Sequence, residues 1–307
     1  MPSPASSSPA ICLCAISPPC ECPGVAGDRT GLIQASKHLA KRLGAARAYR
    51  SLRALSVGRK EPVRVWREGL RDEIGFWEQV LPERVVTDSG YRDRVDPRAP
   101  MSDPLMNFLI GRIPEETVSI IDVGAGPLTA LGKTYPGKTL RITATDPLAS
   151  EYVRIMREAG IDPPVAPVAC RGEDLLDTFQ PGTFDIAFAR NALDHCIDPV
   201  RVITNMVELV RDGRFVLLRH LRSVAELNLY RGLHQWNFDI EGGRFVIWRT
   251  GRERVEMGRV LETAATVECF EEGRWVVCVL TKSAAAGGVE EGGRHPTPHR
   301  AERDGSP

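Results

Sequence analysis

From residue 117 onward, short runs of β-branched and other apolar residues alternate with segments of helical spacing. The runs cover residues 118–123, 140–145, 165–170, 184–189 and 215–219. They are apolar on both faces, which is typical of strands buried between helices in a parallel sheet. The alternation therefore predicts an α/β fold with a Rossmann-like, doubly wound and mostly parallel sheet.

The end of this region has a different pattern. Residues 266–270 and 275–280 are two further β-rich runs, separated by the turn-forming segment Glu271-Glu272-Gly273-Arg274. Such a pair predicts an antiparallel hairpin. We therefore expect the mostly parallel sheet to end in an antiparallel hairpin.

The sequence divides into five parts by composition. Residues 1–28 are of low complexity and predicted to be disordered. Residues 29–60 are predicted to be a basic helical segment, which is either a solvated helix packed beside the core or a targeting or membrane-surface region. We expect a helical N-terminal extension at 61–116, the α/β domain at 117–282 and a disordered tail at 283–307.

Charge and hydropathy restrict the class of ligand. Residues 1–60 carry nine basic and two acidic side chains, whereas residues 61–282 carry 28 basic and 34 acidic ones. A domain that binds long nucleic acid usually has a basic face, so the acidic middle disfavours nucleic acid and favours a small molecule. No apolar run is long enough for a transmembrane segment. We expect a cytoplasmic protein, with organelle targeting by residues 1–60 as the alternative.

Eight cysteines offer little sign of metal binding or of a disulfide framework. Cys12, Cys14, Cys20 and Cys22 form two C-x-C pairs, but zinc sites usually space each pair by two to four residues. The remaining cysteines lie among apolar residues, where a buried thiol is the usual state. The sequence therefore predicts no metal site.

The segment after the first predicted strand contains the main candidate ligand-binding residues. It reads Asp122-Val123-Gly124-Ala125-Gly126-Pro127, in which glycines permit a tight turn and the close approach of a ligand. A dinucleotide-binding loop would have a third glycine at position 129, where this chain has Thr129. Asp122 suits a ligand with an ammonium group, and Asp146, at the end of the second strand, suits ribose hydroxyls. Together they indicate an adenosine that carries an amino acid.

Four features in this order resemble those of class I S-adenosylmethionine-dependent methyltransferases, in the type-11 group that acts mostly on small molecules. They are the Asp122-x-Gly124-x-Gly126 loop, Asp146, the segment Gly172-Glu173-Asp174-Leu175, and Asn191-Ala192-Leu193-Asp194-His195-x-x-Asp198-Pro199. The terminal hairpin also matches. Residues 61–110 resemble an N-terminal extension of some bacterial members.

The resemblance implies S-adenosylmethionine as cofactor, with roles for particular residues. Gly124, Ala125 and Gly126 would line its backbone, Asp122 its ammonium group and Asp146 its ribose. Gly172 and Glu173 would lie near the adenine, and Asn191 near the methionine end. Many relatives have an acid where this chain has Arg171.

Two regions are candidates for acting on the methyl acceptor. His195 is a candidate general base, because histidine titrates near neutral pH; it could instead hold the loop after strand four together. The segment after strand five is a candidate small-molecule pocket, and the alternative is a helix with buried aromatics. Its candidate substrate-binding residues are His220, Glu226, Tyr230, His234, Gln235, Trp236 and Asn237.

The sequence thus predicts an enzyme that methylates an oxygen or nitrogen of a small molecule. Three alternatives stay open: a non-catalytic S-adenosylmethionine-binding regulatory protein, a nicotinamide-dependent oxidoreductase, and an RNA methyltransferase that uses residues 1–60 as a basic arm. The oligomeric state cannot be read from these patterns.

Overall fold

The structure is a computed structural model that describes residues 60–252 and 254–284. The predictions for residues 1–28, for 29–59, for the four N-terminal cysteines and for residues 285–307 lie outside this range. None of the helices within it is both long and apolar enough to cross a membrane.

Helices precede and flank a set of strands, as the sequence predicts. The helices are α1 (Pro62–Thr87), α2 (Ser89–Val95), α3 (Pro104–Gly111), α4 (Ala149–Glu158), α5 (Leu175–Thr178), α6 (Pro199–Leu209), α7 (Val224–Leu227) and α8 (Met257–Val260). The strands are β1 (Thr117–Val123), β2 (Thr139–Asp146), β3 (Val168–Ala169), β4 (Phe184–Arg190), β5 (Val210–Leu221), β6 (Asn237–Glu241), β7 (Arg244–Trp248), β8 (Val255–Glu256), β9 (Ala265–Glu272) and β10 (Trp275–Lys282).

Seven strands form the central sheet in the order β3-β2-β1-β4-β5-β10-β9. Strands β1 to β5 are parallel, whereas β10 runs antiparallel to both β5 and β9. The strand order reverses between β1 and β4, and ligands of doubly wound sheets bind outside the carboxyl ends of the strands at such a point. The predicted fold class is confirmed.

The N-terminal extension is helical, as predicted, and packs on the sheet domain. Leu81 of α1 is fully buried in a cluster with Tyr152 and Met156 of α4. The long helix α1 begins with Pro62, whose ring suits the first helical turn. Burial of this apolar side of α1 holds the helix against the domain.

The connection between β1 and β2 differs from expectation. We expected a helix after the glycine loop, but residues 124–138, all of which the structure describes, contain none. Leu128 and Leu131 are buried there, and the backbone N–H of Met101 donates to the oxygen of Thr134. With only 15 residues in the connection, apolar anchors and pairing with residues 99–101 take the place of a helix.

A second, three-stranded sheet in the order β6-β7-β8 lies between β5 and the terminal hairpin. Its side chains Phe238, Phe245 and Ile247 are buried in the same core as those of α6 and β10. Gly242 and Gly243 form the β6–β7 turn with φ angles of +58° and +77°. Alternating apolar residues around a Gly-Gly pair are a hairpin signal that our sequence analysis missed.

Candidate functional site

The glycine loop lies at the carboxyl end of β1. Gly124 and Gly126 have φ angles of +71° and +64°, in the left-handed region that favours glycine. The N–H groups of Gly124 and Ala125 donate to the oxygen of Thr145 at 2.8 and 3.0 Å. The loop is therefore tied to the end of β2, and its turn depends on glycine at both positions.

Gly124 has a second reason to lack a side chain. A Cβ at this position would lie 2.4 Å from the Cβ of Ala192, in the loop that follows β4. Side-chain carbons do not approach each other so closely. The loops after β1 and β4 can therefore meet only because Gly124 has no side chain. The predicted cofactor loop thus also holds two strand ends together.

Asp146 ends β2 and binds the glycine loop. Its Oδ2 accepts from the N–H of Gly126 at 3.0 Å, and its Oδ1 accepts from the N–H of Leu148 at 2.9 Å. Burial raises the pKa of Asp146 to about 7, although both hydrogen bonds favour the carboxylate. A nearly buried carboxylate therefore faces the loop with unused lone pairs.

Asp122, the last acid before the loop, is paired within the protein. Its Oδ2 accepts from the hydroxyl of Thr129 at 2.6 Å, and the side chain is only 2% exposed. Burial raises the pKa of Asp122 to about 6, against the favourable charges of Arg94, Lys133 and Arg190. Thr129 occupies the position where a dinucleotide loop has a glycine that lets helix and strand pack closely. Here the residue instead binds Asp122 through its hydroxyl group.

The segment after β3 also supports the strand ends. Glu173 accepts at Oε1 from the N–H groups of Ile197 and Asp198, at 2.8 and 3.1 Å. A Cβ on Gly172 would lie 2.6 Å from Val202 of α6, so glycine is needed there for packing. These contacts give both residues a structural role, and their predicted place near an adenine stays a prediction.

Asn191 joins the ends of β4 and β5. Its φ angle is +48°, and its Oδ1 accepts from the N–H of Leu221 at 3.0 Å. Left-handed backbone at a residue other than glycine is uncommon and persists where the surroundings hold it. Asn191 therefore shapes the edge at which the predicted methionine end would lie.

Two histidines and one aspartate meet beside this edge, in what we call the Asp194 cluster (Asp194, His195 and His234). His234 Nδ1 lies 2.5 Å from Asp194 Oδ2 and 3.1 Å from His195 Nε2. His195 Nε2 lies 3.5 Å from the same Asp194 oxygen. Three atoms that bind protons or metal ions thus face one another.

Burial and charge within the Asp194 cluster oppose each other. Burial alone would raise the pKa of Asp194, but His195 and the hydrogen bond from His234 hold that pKa well below its usual range. Burial likewise acts to lower the pKa of His234, yet the bond to Asp194 outweighs it and raises the pKa. Asp194 is thus a carboxylate in a buried position.

Helix α1 passes over both groups of residues. A Cβ on Gly126 would lie 3.8 Å from Cζ2 of Trp77, and the Trp77 indole N–H donates to Glu73 at 2.8 Å. The charge of Glu73 acts on Asp146 and also on His234. Gly69 of the same helix packs against Gly232, two residues before His234, so α1 contacts both the glycine loop and the segment that carries His234.

Residues 121–218 match the model of a family described as a methyltransferase domain. The match begins at the end of β1 and runs through β5, so it contains the loop, Asp146 and two members of the Asp194 cluster. This part of the chain is therefore similar to a methyltransferase domain, in agreement with the resemblance seen in the sequence. No curated protein matches the chain.

Solved structures of methyltransferases are similar to the chain at low identity. A Burkholderia thailandensis 1,6-didemethyltoxoflavin-N1-methyltransferase is 15% identical, with a TM-score of 0.36, over 68% of this chain and 90% of its own. The CurJ carbon methyltransferase is 16% identical, with a TM-score of 0.44, over 81% and 71%. An S-adenosylmethionine-dependent methyltransferase from Mesorhizobium loti is 13% identical, with a TM-score of 0.37, over 57% and 96%.

The resemblance in the sequence implies S-adenosylmethionine as the cofactor of this domain. The residues present fit it. The buried carboxylate of Asp146 lies beside the backbone of Gly126. Because Gly126 has no side chain, ribose hydroxyls can bind there without a steric clash. Trp77 closes the same space from above with an aromatic ring. The missing helix after the loop is a departure, because helix N–H groups cannot contribute there.

The predicted acceptor residues divide into buried and accessible ones. His220, Gln235 and Asn237 are fully buried, and Tyr230 is 3% exposed. Asn237 donates to the Tyr230 hydroxyl at 3.1 Å, and Gln235 donates to the oxygen of Cys196 at 2.9 Å. These contacts hold the segment in place.

Three of the predicted acceptor residues remain open to a ligand. His234 belongs to the Asp194 cluster, and Trp236, which is partly buried, donates its indole N–H to the oxygen of Cys196 at 2.9 Å. Glu226 is exposed. Binding of a substrate by any of the seven residues stays a prediction.

Sequence reasoning missed several residues of the site. Asp194 was quoted only as part of a motif, and its partner His234 lies 40 positions further along. Trp77 and Glu73 belong to α1, in the segment that the sequence predicts only as a helical N-terminal extension. Their spacing of four residues on a helix is the signal that could have paired them.

Proposed function

We propose that the chain is an S-adenosylmethionine-dependent methyltransferase that moves a methyl group to an oxygen or nitrogen of a small molecule. The observation that supports this most is the joint position of two sites at one sheet edge. Asp146 and Gly126 form the cofactor side, and the Asp194 cluster forms the acceptor side. Gly124 of the loop packs against Ala192, which lies two residues before Asp194, so the two sides are neighbours.

On the cofactor side, Asp146 would accept hydrogen bonds from the ribose hydroxyls while it continues to bind the N–H of Gly126. Gly124, Ala125 and Gly126 would contact the cofactor through their backbone. Asp122 is covered by Thr129, and it would act on the ammonium group through its charge or through water. Asn191 would border the methionine end. When bound, S-adenosylmethionine supplies an electrophilic methyl group on sulfur.

The transfer is an in-line displacement, in which alignment supplies most of the acceleration. A lone pair of the acceptor forms the new bond to the methyl carbon as the carbon–sulfur bond breaks, and its electrons stay on sulfur. An oxygen or nitrogen acceptor also loses a proton. The Asp194 cluster would bind the acceptor and assist that loss, because its two imidazoles are partly open. His195, the predicted catalytic residue, is one of the two.

The size of the site favours a small acceptor. Helix α1 covers the edge above the loop, and Trp77 approaches within van der Waals distance of where a Gly126 side chain would start. An extended nucleic acid would need an open, basic approach to this edge. The cover of Trp77 over Gly126 leaves no such approach at this point, which supports a small molecule over RNA.

Incubation of the full chain with S-adenosylmethionine and fractions of small-molecule extract tests the proposal. We expect S-adenosylhomocysteine to form only with some fractions, and the His195→Ala and His234→Ala variants to bind the cofactor normally but turn over slowly. Tight binding of S-adenosylmethionine without turnover in any fraction would support a regulatory protein instead. Thermal stabilisation by NAD alone would support an oxidoreductase.

A further inference from the structure

The three atoms of the Asp194 cluster form a closed triangle. Its sides are 2.5 Å from Asp194 Oδ2 to His234 Nδ1, 3.1 Å from His234 Nδ1 to His195 Nε2, and 3.5 Å from His195 Nε2 to Asp194 Oδ2. Each atom therefore lies within 3.5 Å of the other two. A linear relay would instead leave its two end atoms far apart.

Protons alone satisfy this triangle poorly. A proton on His234 Nδ1 forms the hydrogen bond to Asp194. The lone pair of His195 Nε2 then has only that same N–H as a donor. If His195 Nε2 carries its own proton, that N–H reaches Asp194 Oδ2 only across 3.5 Å, which is too long for a good hydrogen bond. A cation at the centre of the triangle would give each of the three atoms a bond of its own.

We propose that Asp194, His195 and His234 bind a divalent first-row transition-metal ion through Oδ2, Nε2 and Nδ1. Two imidazoles and one carboxylate are a common ligand set for such ions, with further positions left open for a substrate. At bond lengths of about 2.1 Å, cis ligands lie roughly 3.0–3.4 Å apart. Two sides of the triangle are already close to this range, and the Asp194–His234 side would open on binding.

The surrounding backbone holds the three ligands in position. Asp194 and His195 lie in a short 3₁₀ turn, Leu193–His195, and His234 precedes a segment that is joined to this turn. The N–H of Gln235 donates to the oxygen of Asp194 at 3.1 Å, and the side chain of Gln235 donates to the oxygen of Cys196 at 2.9 Å. The ligands therefore need little rearrangement to bind an ion.

Burial supports a bound cation independently of the triangle. The side chain of Asp194 is 1% exposed, and its Oδ1 is buried without a hydrogen-bond partner among the described residues. A buried carboxylate is costly unless it is paired or coordinates a metal. The side chains of His195 and His234 are 22% and 29% exposed, so the ion would have one side open to the acceptor.

This inference rests on the proposed function for its role. A metal ion would bind the acceptor through an oxygen and lower the pKa of that group. The proton would then pass to solvent before the acceptor's lone pair takes the methyl group. The favoured acceptors are therefore small molecules with a hydroxyl or enol oxygen that can coordinate a metal.

The test uses the full chain, freed of metal by a chelator and then titrated with Zn²⁺ by calorimetry and with Co²⁺ by visible absorption. We expect one ion per chain at the site and a Co²⁺ spectrum of nitrogen and oxygen ligation. The His234→Ala and Asp194→Asn variants should bind roughly 100-fold more weakly, more than is lost with outer-shell partners. Circular dichroism spectra would show that the variants are folded.

Two controls separate this site from others. Replacement of Cys12, Cys14, Cys20 and Cys22 by serine should leave the ion bound, and thiolate charge-transfer bands should be absent. The Asp177→Asn variant removes an exposed carboxylate outside the triangle and should bind the ion as the wild type does. Unchanged affinity in the His234→Ala variant, or no binding by the wild type, would overturn the proposal. Turnover of S-adenosylmethionine by a metal-free protein would overturn it and leave the proposed function standing.

Discussion

Asp146 accepts a hydrogen bond from the backbone N–H of Gly126 at 3.0 Å, so the acid predicted to bind the ribose also positions the loop predicted to bind the rest of the cofactor. The two predicted cofactor contacts are therefore coupled. A change at Asp146 should disturb the loop as well as the ribose site.

The Asp146→Ala variant should bind S-adenosylmethionine roughly 10–100-fold more weakly, because hydrogen bonds to a charged group contribute about 1.5–3 kcal/mol. It should also melt at a lower temperature, since the N–H groups of Gly126 and Leu148 lose their acceptor. Calorimetric titration and thermal melts measure both effects. The Asp177→Ala variant removes an exposed acid of α5 and should change neither. Equal cofactor affinity in both variants would exclude the ribose role.

Asp122 should make the stability of the cofactor-free protein depend on pH. Burial raises its folded pKa to about 6 from 3.8, so between these values the folded chain binds more protons than the unfolded one. The stabilising contribution of Asp122 to the free energy of unfolding is therefore present below about pH 4 and is lost as the pH rises to about 6.

The Asp122→Asn variant removes that titration and keeps an oxygen for the hydroxyl of Thr129. It should match the wild type at low pH and gain ~3 kcal/mol relative to it near neutral pH, at 1.36 kcal/mol per pKa unit. Denaturant unfolding of both proteins across this range measures the difference. A difference that does not change with pH would contradict the raised pKa.

Gly124 and Gly137 form a matched pair for testing the contact between the loops. Both have positive φ, +71° and +72°, but a Cβ on Gly124 would meet Ala192 at 2.4 Å while one on Gly137 would meet nothing within 4 Å. The Gly137→Ala variant should lose about 1–2 kcal/mol of unfolding free energy from the backbone alone. The Gly124→Ala variant should lose several kcal/mol, because overpacking adds to that cost. Equal losses would show that the two loops do not touch.

Trp77 should report cofactor binding. Its ring lies over Gly126, so the Trp77→Phe variant should bind S-adenosylmethionine up to about tenfold more weakly, through the lost aromatic area and the lost bond to Glu73. Tryptophan fluorescence should change on binding in the wild type and much less in the variant. Phe108→Ala, at an exposed aromatic of α3, serves as the control. An unchanged fluorescence response in the Trp77→Phe variant would place the ligand away from α1.

The central sheet could be predicted because β1 and β4 are apolar on both faces and the terminal hairpin has a marked turn. The connection after Gly126 could not be predicted from the pattern. It is a loop stabilised by Leu128 and Leu131 and by pairing with residues 99–101, and no local preference encodes such distant partners. The β6–β7 hairpin could have been predicted, since Gly242 and Gly243 separate two alternating runs.

The residues of the candidate site likewise divide into those that the sequence could identify and those that it could not. Asp122, Gly126 and Asp146 stand at fixed spacings along β1 and β2, so sequence reasoning could identify them. The pairing of Asp194 with His234 depends on how the chain returns after β5, and the burial of Asp194 exists only in the fold. Trp77 approaches the loop through the packing of a helix that is distant in sequence.

Transfer of an isotopically labelled methyl group tests the account most directly. The full chain is incubated with methyl-labelled S-adenosylmethionine and a cell extract, and the products are separated into small molecules, protein and RNA. We predict that label enters the small-molecule fraction in an amount equal to the S-adenosylhomocysteine formed, on an oxygen or nitrogen atom. Label confined to RNA or protein, or cofactor that binds and is never consumed, would contradict the account.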